Sequence, residues 1–104
     1  MANNRLRGML GLCQRAGGLQ SGADQVVHAI RSGACRLALI DGDAAANTVK
    51  KITDSCIYYH VPYQLLPPGL LAEASGKDGR MIAAVTSEGF ARRLETLIQE
   101  SDPI

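Results

Sequence analysis

The stretch RLALIDGDAAANTVKKITDSC, Arg36 to Cys56, decides the fold. RLALID is a short apolar run that reads as a strand buried on both faces. Asp41-Gly42-Asp43 then turns the chain outward. Val49, Ile52, Thr53 and Cys56 recur at helical spacing, with Asn47 as the candidate cap. A buried strand that feeds a helix through a tight turn is a building unit of α/β domains.

The same alternation continues on either side. Leu6, Met9, Leu10 and Cys13 follow the i, i+3, i+4, i+7 pattern of an amphipathic helix that starts near Asn3 or Asn4 and stops at Gly17-Gly18. Ser21-Gly22-Ala23-Asp24 fits a capping box, with Ser21 as cap and Asp24 reaching back to its N–H. Val26, Val27 and Ile30 form the buried stripe of the helix that follows, and Ser32-Gly33 closes it. Beyond the deciding stretch, Val61 to Leu66 reads as a second strand, with Pro62 at its beginning where a missing N–H is tolerated. Pro67-Pro68-Gly69 is a stiff turn, and Leu70 to Ser75 forms one or two helical turns ended by Gly76. Met81 to Thr86 makes a third strand, and Phe90, Leu94, Leu97 and Ile98 line one face of a last helix. The expectation is a single domain over residues 1–104, an α/β protein built as a three-layer α/β/α sandwich, with 101–104 a frayed tail.

Composition narrows the function. Hydrophobic residues make up 46% of the 104, enough for a core, and with one Phe and no Trp the packing is aliphatic. No stretch reaches the length of a membrane span and MANNRLRGML lacks the apolar region of a signal peptide, so a cytoplasmic protein without a membrane partner is expected. Cys13, Cys35 and Cys56 are widely spaced and form no CxxC pair, which points to reduced, buried thiols rather than a metal or disulfide framework. The net charge of +1 is unevenly spread. Residues 1–51 carry seven basic and three acidic side chains, the remainder four and seven. A local positive face is compatible with that distribution.

Catalytic signatures are missing. There is no P-loop and no G-x-G-x-x-G. His28 and His60 have no local signature tying them to a thiol. Asp41 and Asp43 flank a glycine after a strand, yet two carboxylates make a poor metal cage and turn chemistry accounts for them. No enzyme, cofactor or metal site is expected.

What then sits against QRAGGLQSGADQVVHAI, Gln14 to Ile30, where glycines lead straight into a helix? A helix N-terminus presents unpaired N–H donors and partial positive charge, suited to an anion or phosphate. A C-cap followed by an ordinary turn explains the same glycines.

LGLCQRAGGLQSG (10–22), LALIDGDAAANTVKKITDSCIYYHVPY (37–63) and GKDGRMIAAVTSEGFA (76–91) resemble the YlxQ-type bacterial members of the kink-turn-binding ribosomal protein superfamily, the L-seven-Ae type. The resemblance spans nearly the whole chain in order. It implies an α/β/α sandwich and noncatalytic binding of a kinked or bulged RNA stem, with ribosomal RNA or an mRNA leader as the source and a ribosome-associated role. The usual pattern is Gly, then Asn and Glu, then Lys one turn later, at the start of the second helix. Those places are Gly22, Asp24, Gln25 and His28 here, with Ala23 between. Gly22 then admits a sugar–phosphate backbone, and first-turn side chains reach base edges.

Asp24 substitutes a carboxylate for an amide donor, Gln25 keeps an acceptor without charge, and an imidazole takes the place of a permanent cation at His28. The second contact implied is the loop after the family's third strand, here Leu66-Pro67-Pro68-Gly69-Leu70-Leu71-Ala72, with no basic residue and with Ala72 in place of the usual Gly. Arg15, Arg31 and Arg36 are the remaining candidate cations; for Arg31 and Arg36 a solvated helix end and strand edge is the competing assignment. Pro67 and Pro68 equally suit a rigid connection. The departures and the acidic second half leave a second function open, a protein-interaction module that kept the fold but lost specific RNA affinity.

Overall fold

The computed structural model describes residues 2–75 and 81–100. Among these, five helices and four strands alternate: α1 (Ala2–Arg15), β1 (Leu19–Ser21), α2 (Ala23–Ser32), β2 (Leu37–Asp41), α3 (Ala46–Tyr59), β3 (Tyr63–Leu66), α4 (Leu70–Ser75), β4 (Ile82–Val85) and α5 (Glu88–Glu100). The strands form one sheet in the order β1-β4-β2-β3, with β3 parallel to β2 and β4 antiparallel to β1 and β2.

The sheet alternates its side chains between two cores, as a pleated strand must. Leu37, Leu39, Ala83 and Val85 pack with Leu6, Leu10, Leu71 and Leu94 beneath α1, α4 and α5. Ala38, Ile40, Ile82 and Ala84 pack with Val26, Ile30, Ile52 and Cys56 beneath α2 and α3. Helices therefore cover both faces, which makes the expected α/β/α sandwich. All five residues of β2 are buried, in keeping with a strand covered on both faces.

Three local expectations change. Strand β1 is additional; with three residues it is too short for periodicity to reveal, and its pairing with Ala83–Val85 holds it. That pairing commits the Ser21 backbone to the sheet, so the capping box with Asp24 does not form. Gly22 is instead the N-cap of α2 at φ 102°, ψ 140°, with no side-chain cap hydrogen bond. Likewise Asn47 lies inside the first turn of α3, whose N-cap is Ala45. Gly76 as a helix stop, the 76–80 part of the family-like block and the 101–104 tail fall outside the described residues.

Because β1, β2 and β3 run the same way, their C-terminal ends share one rim with the beginning of β4. Asp41 pairs with Leu66 across β2 and β3, and its N–H donates to the Met81 carbonyl at 2.7 Å. Helices α2, α3 and α4 all start from this rim. Across four strands at ~4.8 Å spacing, the β1 and β3 ends of the rim stand roughly 14 Å apart.

Candidate nucleic-acid interface

At the β1 end of the rim, a strand must turn into a helix within one residue. Only glycine adopts φ 102° without a Cβ penalty, so Gly22 is required there by the backbone. Having no side chain, it leaves the first-turn N–H groups of α2 without a capping acceptor from that position. Ala23, Asp24, Gln25 and, one turn on, His28 are exposed around this bare helix start.

At the β3 end, Leu66 is buried and anchors the loop, while Pro67 and Pro68 stand exposed and Gly69 turns at φ 81°. What fixes this loop is Asp41. Its carboxylate is fully buried. Oδ1 accepts from the backbone N–H of Asp43 at 2.9 Å and of Gly69 at 3.0 Å, and Oδ2 accepts from Leu71 N–H at 3.2 Å. Three charge-assisted bonds offset the cost of burying the carboxylate, and Leu71 lies in the first turn of α4, where negative charge is favoured. Gly42 closes the junction: a Cβ there would stand 3.0 Å from both the Leu66 carbonyl oxygen and Pro68 Cγ. The turn after β2 and the loop after β3 are thus one braced unit.

The groove between α2 and α3, about 290 Å³, is lined by Asp24, Val27, His28, Arg31 and Lys51. It brings Arg31 together with the α2 residues and adds Lys51, which the sequence did not single out. Arg36 is placed elsewhere. It precedes β2, its N–H donates to the Val85 carbonyl, and its side chain lines a separate groove with His60, Glu88 and Glu95. That is the opposite rim of the sheet, roughly 13 Å from Gly22 along the strands.

All three cysteines are buried, and burial pushes each thiol up to about 11, far from the depressed values of nucleophilic thiols. Among the described residues no group of three or more His, Cys, Asp or Glu is placed to hold a metal ion, and no helix is long and apolar enough to cross a membrane.

Residues 4–95 match the ribosomal protein L7Ae/L30e/S12e/Gadd45 family. The chain is 43% identical over 91 residues to the RNA-binding protein YlxQ of Bacillus subtilis (strain 168), covering 86% of this chain and 91% of that one. It is 32% identical over 99 residues to the RNA-binding protein YlxQ of Enterococcus faecium, covering 92% and 95%. In three dimensions it resembles a Bacillus halodurans protein of unknown function (TM-score 0.86, 36% identity, 90% and 96% covered). It also shares its fold with the Giardia lamblia 15.5kD RNA binding protein (TM-score 0.77, 15% identity, 95% and 86% covered).

Proposed function

The chain belongs to the ribosomal protein L7Ae/L30e/S12e/Gadd45 family, and from that premise we propose that it is a noncatalytic RNA-binding protein that recognises a kink-turn or similarly bulged stem. The observation that carries this reading is Gly22, a positive-φ glycine that opens α2 with no side-chain cap, on the same rim as the braced 66–69 loop. The names of the YlxQ relatives support RNA as the ligand class.

The proposed division of labour follows from the geometry. Gly22 lets a sugar–phosphate backbone approach the free N–H groups of α2. Gln25 and His28, exposed on the first turns, address the base edges that a kinked RNA displays. Pro67 and Pro68 present a stiff apolar surface roughly 14 Å across the rim, suited to packing against unstacked nucleotides. Asp24 adds negative charge at this helix start, so affinity leans on cations elsewhere. Arg31 shares the α2 groove; Arg36 lies outside the proposed contact.

The test is a titration with a short RNA holding a standard kink-turn at ~100 mM salt, beside the same RNA with its G·A pairs changed to Watson–Crick pairs, since affinities have meaning only at stated salt. Submicromolar binding that the control loses is the expected result. Equal, weak binding to both removes kinked RNA as the ligand. Association with ribosomal RNA or an mRNA leader is part of the same proposal, and crosslinked RNA recovered from cells identifies which.

One observation favours a second reading as a protein-interaction module. Ile57, Tyr58, Tyr63 and Leu65 are exposed at the end of α3 and along β3, a strand paired on one side only. Partners that stay bound after nuclease treatment would support it.

A further inference from the structure

We propose that the α2–α3 groove is a phosphate site that extends the RNA interface, with Lys51 of α3 supplying the permanent cation absent at position 28 of α2; this rests on the RNA-binding reading above. Helices α2 and α3 start from the same rim and run side by side. His28 is the sixth residue of α2 and Lys51 the sixth of α3, so the two stand level, about 7.5 Å from the rim at 1.5 Å per residue. Asp24, His28 and Arg31 occupy i, i+4 and i+7 on α2 and therefore form one stripe facing the groove that Lys51 also lines.

The two adjacent lysines of α3 have different fates. Lys50 donates to Asp54 Oδ2 at 2.9 Å in an ion pair along α3. Lys51 and Arg31 have no ion pair among the described residues, so the groove holds two permanent cations against the single carboxylate of Asp24. The excess of positive charge in the groove favours a polyanion there. Its mouth is continuous with the start of α2, because Asp24 belongs to both. An RNA strand crossing Gly22 therefore places a neighbouring backbone phosphate over Lys51 and Arg31, which contact it without reading sequence.

The experiment compares Lys51→Gln with Lys50→Gln in the full chain, on kink-turn RNA between 50 and 300 mM KCl. Loss of one phosphate contact lowers the slope of log Kobs against log salt by roughly 0.7–0.9. K51Q is expected to lower it by that amount and weaken binding about three- to tenfold at low salt. K51R keeps the slope and K50Q leaves both quantities unchanged, with Tm confirming that every variant folds. RNA binding by the unaltered chain with the same slope in K51Q and K50Q overturns this site and leaves the broader function standing. No RNA binding by the unaltered chain overturns both.

Discussion

Replacing Asp41 should unfasten the brace between the turn after β2 and the loop after β3. Asp41→Ala removes the acceptor for three backbone N–H groups at 2.9, 3.0 and 3.2 Å. Hydrogen bonds to a charged group contribute ~1.5–3 kcal/mol each, but the three losses do not simply add. The bonds to Asp43 and Gly69 are part-buried and that to Leu71 is buried, so the Leu71 N–H keeps the largest penalty. Removing a buried carboxylate also removes its desolvation cost. The net expectation is a loss of about 3 kcal/mol, which in a domain of this size lowers Tm by roughly 12–24 °C. Asp41→Asn keeps one oxygen but sets an amide N–H₂ against a backbone N–H, giving an intermediate loss of ~1–3 kcal/mol. Urea denaturation measures both, and amide exchange at Gly69 and Leu71 reports the brace directly. A D41A variant within ~0.5 kcal/mol of the parent, the range of ordinary surface changes, with undiminished protection at both amides, would refute the brace.

Gly22→Ala forces a Cβ onto φ 102°; a loss of ~1–2 kcal/mol in stability and weaker kinked-RNA binding are expected, and unchanged affinity would remove Gly22 from the contact. Gln25→Ala and His28→Ala should each reduce affinity several-fold with no change in Tm, and unchanged binding in both sinks the α2 assignment. His60 caps α3 at φ 59°, where Gly33 does the same work for α2 at φ 83°; His60→Gly should therefore stabilise by roughly 0.5–1 kcal/mol, and a lower urea midpoint would contradict that. The thiols give a pH signature. Burial raises Cys13, Cys35 and Cys56 from their ordinary value of 9.0 to about 11, so between those values the unfolded chain loses protons that the folded chain keeps. Stability must then fall as pH rises from about 9 to 11, less steeply when Cys56 is Ala; a slope that Cys56→Ala leaves unchanged would show that this thiol is not its source.

The elements that could be read from the chain were those whose periodicity runs long enough to separate two faces. The four apolar positions of α1 and the doubly buried run of β2 are of that kind. Strand β1 was not, because three residues between glycines carry no period, and Ser21 has a respectable alternative role as a cap that only the pairing with Ala83 removes. The Gly22 helix start was recognisable from order and resemblance, though its freedom from a capping side chain was not.

Asp41 and Lys51 stayed hidden for a shared reason: each acts across elements distant in sequence. An acid closing an apolar strand is ambiguous between a turn residue and a buried one until the Gly69 and Leu71 amides, 28 and 30 residues onward, arrive beside it. The doublet Lys50-Lys51 looks uniform until α2 packs along one side of α3, leaving Asp54 to Lys50 and the groove to Lys51. Local pattern fixes which face of a helix is buried, whereas the charge a side chain meets is fixed by which helix becomes its neighbour. In this chain the proposed binding chemistry rests on that second kind of information. The residue that holds the loop after β3 closes β2, and the cation that shares the α2 groove comes from α3, so the proposed interface needs the sheet to have assembled all of its strands.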